Sequence, residues 1–545
     1  MLEPPIHPIP RSTEICGDWE AGSDMRRRFL TRVVLAMCGV VLASYSFGGT
    51  TRTTEADAKV PNLSSSLAAL AAASRPSDEL RVIVQGADPR GAARTHGRPI
   101  KNIDLVGGVA AFVRAGDIQR LAHDPRTSFV ALDSPVRLTA TGSVSTASLA
   151  TIYPGRDSAS NPWSAGATGE GVGIAIIDSG VTPSPDFGTR LVQVALDGQN
   201  GSLDDTVGHG TMVAGVAAGY SPDGKFIGLA PRANVYALNI NRSDGVHTSD
   251  VITALKWVFD NAHAYNIRVV NLSLTETVKS SYTESLLDLA IERVWASGVF
   301  VAVSAGNRGA GQIDYAPAND PLAFTVGAFD TMGTSGPGDD TYATWSSSGK
   351  TVDSTNKPEL VAPGRAIAAP LPAGTYLDGR APSANRVHPG YAAINGTSFA
   401  APQVAGAAAI IYQWHPDWSP DNVKWALIAK QGSKPRDSKV GSLSLSSSYN
   451  YAGTPGRANQ SVSALVCAPN TSCLKDGTVA SKWDSASWNS GSWNSGSWNS
   501  ASWNSASWNS LADWDSASWN SGSWDSGSWN SGSWNGDDTL FDLWR

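Results

Sequence analysis

Residues 172–180 read VGIAIIDSG, an apolar run that ends at Asp178. A strand covered on both faces reads this way, because neither of its sides has to meet water. Two other runs have the same form. RVVNLSL at 268–274 reaches Ser273 and Leu274, and GVFVAVSAGN at 298–307 reaches Asn307. From about Ser158 to about Tyr451 such runs alternate with helical stretches, which predicts an α/β domain built on a parallel sheet. Sites in open sheets of this kind form beyond the carboxyl ends of the strands, so these three ends are expected to converge on one edge.

Two helix starts belong to the same edge. GHGTMVAGVAAG at 208–219 puts His209 at the head of a small-residue helix, and NGTSFAAPQVAGAAAIIYQW at 395–414 puts Ser398 at the head of another. Taken singly, each residue has an ordinary reading: Asp178 as a cap, His209 as a satisfied helix-start histidine, Ser398 as an N-cap, Asn307 as a turn residue. Together they supply a hydroxyl nucleophile, a base to take its proton and a carboxylate to orient the base. Asn307 and the Ser398 backbone N–H would serve where an oxyanion develops.

In the order Asp, His, Asn, Ser, the segments AIIDSG, GHGTMVAG, SAGNRG and GTSFAAP closely resemble the subtilisin-like serine peptidases. GLAPRANVYALNI, VVNLSL, ATWSSSG, KPELVAPG and HPDWSPDNVKWAL add secondary matches, so the resemblance spans roughly 160–430. It implies a doubly wound parallel sheet and peptide-bond hydrolysis through an acyl-enzyme. It makes Asp178, His209 and Ser398 the catalytic set and Asn307 the oxyanion residue. Ser273, Leu274 and Gly306 become the substrate-binding edges, and protein or peptide substrates follow. No cofactor is expected, and calcium enters only as a family expectation around Asp186. The sequence departs from the family pattern at three places. Thr275 and Glu276 follow Ser273-Leu274 where glycines are usual, Met212 stands where a second histidine is common, and Arg308 follows Asn307. The resemblance places Arg308 near the pocket for the residue before the scissile bond, where it would disfavour basic side chains and leave apolar or acidic ones acceptable; a solvated surface arginine is the other reading.

Upstream, LRVIVQG, IKNIDLVGGVAAFV, DIQRLAHD and SFVALD predict a small α+β unit at 80–138. It resembles the inhibitory propeptide that precedes many relatives, making the chain's own propeptide a partner that is cut away within 139–158. Farther upstream, MRRRFLTRVVLAMCGVVLASYSF from Met25 has a basic start and an apolar run, a secretory pattern. The expected organisation is a dispensable N-terminus and signal at 1–58 and a linker with propeptide at 59–150. The peptidase domain follows at 151–466, then a cysteine loop at 467–480 and a repeat tail at 481–545. A secreted or cell-surface location follows from the leader.

A net charge of −7 gives no basic face for nucleic acid. Cys467 and Cys473 close the short loop CAPNTSC and read as structural. In the tail, Trp recurs every five residues from Trp483 to Trp508 and again from Trp514 to Trp534. Five residues turn a helix by about 140° and alternate sides in a strand, so neither element gathers these rings on one face. A pentad coil or a polar tail with sticky rings both remain open, and either could contact cell-wall material or glycans. Two competing readings keep the fold but not the peptidase role: a silent scaffold, and an adhesin acting through the tail.

Overall fold

The computed structural model describes residues 62–138, 152–196 and 203–459. The signal segment, the Cys467–Cys473 loop and the Trp pentads lie outside the described residues.

The first described segment alternates strand and helix: α1 (Ser65–Ala73), β1 (Glu79–Gln85), α2 (Pro89–His96), β2 (Gly97–Ile103), β3 (Gly108–Arg114), α3 (Ile118–Ala122) and β4 (Phe129–Leu132). The four strands form an antiparallel sheet in the order β2-β3-β1-β4. Their period of two divides the side chains between two cores. Val82, Val84, Val109, Ala111 and Val130 pack with Ile118 and Leu121 of α3, while Ile83, Ala110 and Ala131 join the large core of the following domain. Leu105 and Val106, in a 3-10 turn after β2, are buried in that same large core. A short strand, β5 (Val136–Leu138), closes this segment.

The following domain opens with α4 (Tyr153–Arg156), β6 (Gly173–Asp178), β7 (Leu191–Val194), α5 (His209–Ala218), β8 (Asn234–Asn239), α6 (Thr248–Asn261), β9 (Ile267–Leu272) and β10 (Leu274–Glu276). It continues with α7 (Leu286–Ala296), β11 (Phe300–Ser304), β12 (Phe324–Asp330), β13 (Thr341–Tyr342), β14 (Leu360–Pro363), α8 (Thr397–Trp414) and α9 (Pro420–Ala429). The main sheet has eight strands in the order β13-β12-β11-β9-β6-β8-β7, with β14 added on β12. All its pairings are parallel except β12 with β13. The winding changes direction about β6, the doubly wound α/β arrangement, and such a reversal opens a crevice beyond the strand ends.

Helix α8 shows why small residues are placed where they are. Sixteen of its residues, from Thr397 to Tyr412, are buried, and it packs against α5 and against β6, β9, β11 and β12. A Cβ on Gly406 would lie 2.9 Å from the Ala217 carbonyl, so only glycine lets α8 approach α5 this closely. Pro402 sits inside the helix and has no N–H for the Ser398 carbonyl four residues back. The Ser273 hydroxyl takes that place, donating to the Ser398 oxygen at 2.8 Å. The end of β9 and the head of α8 are thereby tied together.

Candidate active site

Asp178 ends β6, and its neighbours β8 and β9 flank it in register. Its Oδ1 accepts a hydrogen bond from His209 Nδ1 at 2.8 Å. Both side chains are fully buried. His209 is the first residue of α5, after Gly208 in a left-handed conformation at φ +95°. Phe399 lies 5.6 Å from the imidazole, ring to ring, and walls one side of it. His209 Nε2 is buried and meets no hydrogen-bond partner among the described residues. That leaves the basic nitrogen available for a hydroxyl proton, while the Nδ1–H contact with Asp178 fixes the tautomer.

Ser398 is the second residue of α8, not its cap; the cap position is Gly396. Its Oγ donates to the Ser273 carbonyl at 3.3 Å. Asn307 follows the turn after β11. Its Oδ1 accepts from the Thr397 backbone N–H at 3.1 Å and from Thr397 Oγ1 at 2.9 Å. The amide is thus held by its oxygen, and Nδ2, buried and without a partner among the described residues, is left to donate. Gly306, at φ +91°, donates its N–H to Thr397 Oγ1 at 3.1 Å. Ser273 and Leu274 are buried beside this cluster. Asp178 meets His209 directly, while Ser273, Gly306 and Asn307 all meet the first turn of α8.

Several residues hold the site without having stood out in the sequence. Asp205, four residues before His209, accepts from the Val207, Gly208 and Thr211 backbone N–H groups and from Thr211 Oγ1 and Ser179 Oγ. Burial pushes its carboxyl up to about 6, against these hydrogen bonds. Ser179 links Asp205 to the Asp178 carboxylate and accepts from the Gly210 N–H. The only sequence signal for Asp205 was an Asp just ahead of a helix start, a common capping pattern. Thr397 and Asn271 complete the frame, the latter donating to Ser273 Oγ at 2.9 Å.

A second chain segment lies against this site. β5 pairs antiparallel with β10, with Leu138 opposite Leu274, Arg137 opposite Thr275 and Val136 opposite Glu276. Val136 also donates its N–H to the Val246 carbonyl, and the Thr277 N–H donates to Pro135. In this arrangement Asp178, His209 and Ser398 are all closed to solvent.

The calcium expectation rests on Asp186. Asp186 is engaged by the Tyr391 hydroxyl, which lies 2.8 and 2.7 Å from its two carboxylate oxygens. Among the described residues no group of three or more His, Cys, Asp or Glu is placed to hold a metal ion.

Comparison with known proteins adds to this geometry. Residues 169–460 match the subtilase family model. The chain is similar to serine protease AprX of Bacillus subtilis, 35% identical over 274 residues, 48% of this chain and 61% of AprX. It is 32% identical to an alkaline protease of Alkalihalobacillus alcalophilus, covering 56% of this chain and 68% of that protein. It is 34% identical to subtilisin Savinase of Lederbergia lenta, covering 47% and 81% respectively. The chain thus spans about three fifths of the length of AprX. In fold it is similar to fervidolysin from Fervidobacterium pennivorans, with a TM-score of 0.55 at 20% identity over 68% of this chain and 61% of that one.

Proposed function

Because this chain belongs to the subtilase family, we propose that it is a serine endopeptidase acting through Ser398, His209 and Asp178. The observation that carries this reading is the pairing of two unsatisfied buried nitrogens with a nucleophile: His209 Nε2 and Asn307 Nδ2 both lack partners among the described residues beside the head of α8. A buried polar atom without a partner costs roughly 1–3 kcal/mol, so such atoms gather where a substrate will satisfy them.

In this reaction Ser398 Oγ attacks the scissile carbonyl carbon as its proton passes to His209 Nε2. The developing oxyanion takes hydrogen bonds from Asn307 Nδ2 and the Ser398 N–H, aided by the N-terminal dipole of α8. His209 then gives the proton to the leaving amine, and water repeats the sequence on the acyl-enzyme. Asp178 steadies the imidazolium throughout.

The segment at 62–138 acts as an inhibitory propeptide in this proposal. Its last strand adds to β10 as a substrate strand would, main chain to main chain. Leu138 stands opposite Leu274, the residue after Ser273, whose carbonyl accepts from Ser398 Oγ, and this supports a first cut near the start of 139–158. The basic and apolar leader from Met25 supports export and a secreted or cell-surface location. Contact of the Trp tail with cell-wall material or glycans stays a proposal resting on its aromatic repeat.

A fluorophosphonate probe tests the peptidase reading. Ser398 is expected to label once the N-terminal segment is removed, and to stay unlabelled in His209→Ala. Absence of label on Ser398 after that removal would favour a silent scaffold.

A further inference from the structure

Arg308, the residue after the oxyanion candidate, has an unusual setting. Its backbone N–H donates to Ser347 Oγ at 3.0 Å, which fixes the turn. Its side chain then reaches back across the gap to β10, donating from Nη1 to Thr275 Oγ1 at 3.4 Å and from Nη2 to the Glu276 carbonyl at 3.1 Å. The guanidinium lies 3.9 Å over the Tyr315 ring, and Nη1 is 3.5 Å from where a Cβ on Gly306 would stand. So the cation spans the two edges, β10 and Gly306-Asn307, between which a substrate side chain must enter.

All of these partners are neutral. Arg308 forms no ion pair with a carboxylate among the described residues. Lys279, the other cation near the same ring at 5.6 Å, forms none there either. The neighbouring Asp314 turns its Oδ1 to the Val352 N–H instead. Burial lowers the Arg308 pKa, Tyr315 opposes the shift, and the like charge of Arg137 on β5 adds to it. A half-buried cation without a counter-ion is costly, and a bound anion would relieve that cost.

We propose that Arg308 is a specificity-determining residue that favours Asp or Glu immediately before the scissile bond and disfavours Lys or Arg there. The inference rests on the peptidase reading above. With Ser398 Oγ at the acyl carbon and Asn307 Nδ2 at its oxygen, the side chain of that substrate residue is directed between β10 and Gly306. A carboxylate in that gap meets the guanidinium fork that now rests on neutral acceptors; an ammonium or guanidinium meets like charge.

The test is kcat/KM of the processed protein on one peptide series that differs only at the residue before the cut: Glu, Gln, Leu and Lys. Glu is expected to exceed Lys by at least about tenfold, Arg308→Gln to bring the ratio near one, and Arg308→Glu to invert it. Cleavage after Lys as fast as after Glu by the unaltered protein would overturn the proposal. A Glu-to-Lys ratio unmoved by Arg308→Gln would do the same. If Arg308→Glu does not fold, the unaltered protein and Arg308→Gln still decide. No cleavage of any peptide, together with no fluorophosphonate label at Ser398, would instead overturn the peptidase reading and this proposal with it.

Discussion

Two strand pairings in this molecule differ in kind. β6 lies between β8 and β9 with every one of its residues buried, Gly173 to Asp178, and its bonds run through the middle of the sheet. β5 lies on β10 for three residues only; its segment also buries Ile83, Leu105, Val106, Ala110 and Ala131 in the large core, and polar contacts gather around the seam. Asp133 accepts from Ser249 N, Ser249 Oγ and Arg81 Nε, Lys101 Nζ donates to Asp250, and Thr248 Oγ1 donates to Glu276 Oε1. Apolar burial is non-directional and supports both packings, whereas the charged and hydrogen-bonded contacts at the seam set its register. Under the proposed propeptide role, the fully buried strand suits a rigid site and the short pairing suits a covering segment that leaves.

The largest effects belong to the rigid side of the comparison. Ser398→Ala, His209→Ala and Asp178→Ala are each expected to lower kcat by several orders of magnitude. Asp178→Ala alone should also lower the thermal unfolding midpoint, because His209 Nδ1 and the Ser179 N–H lose their buried acceptor, as steady-state kinetics beside calorimetry will show. Asn307→Ala should cost about 3 kcal/mol of transition-state stabilisation, roughly a hundredfold in kcat, with KM little changed. An equal loss for Asn307→Asp would sharpen this, since the carboxylate cannot donate.

On the releasable side, Asp133→Ala leaves Arg81 and Ser249 without their buried acceptor. About 3 kcal/mol of seam stability should go, seen as faster loss of the N-terminal segment on a gel time course. The smallest effect is a pH dependence. Glu276 lines one small pocket with Ala131, Leu132 and Ser134, and burial pushes its carboxyl from 4.5 up to about 8, opposed by the Thr248 hydrogen bond. A pKa raised in the closed seam means that closure is fully favoured below about 4.5 and weakens as the pH climbs through about 8. Alkaline conditions should therefore speed release, and Glu276→Gln should flatten that slope. Release that is fastest in acid would break the comparison.

Much of the candidate edge was legible because its residues are announced locally. Asp178 ends an apolar strand, and His209 and Ser398 stand within a residue or two of helix starts, so periodicity alone puts them at one end of the sheet. Family membership gives the doubly wound fold. What the letters hid depends on contacts between distant parts of the chain. Ser273 donates to Ser398 across 125 residues because Pro402 cannot. Tyr391 takes up the Asp186 carboxylate from 205 residues away, at the position where the family resemblance offered calcium. One of the two bonds from Arg308 to β10 uses the Thr275 hydroxyl, which the sequence showed only as a departure from glycine.

The most direct test of the central claim is the size and activity of the exported chain beside its Ser398→Ala counterpart, by N-terminal sequencing and hydrolysis of an unfolded protein substrate. The unaltered chain is expected to begin within 139–158 and to hydrolyse the substrate, while Ser398→Ala keeps its 62–138 segment and is inert. A Ser398→Ala chain that is shortened at the same bond and remains active would contradict it.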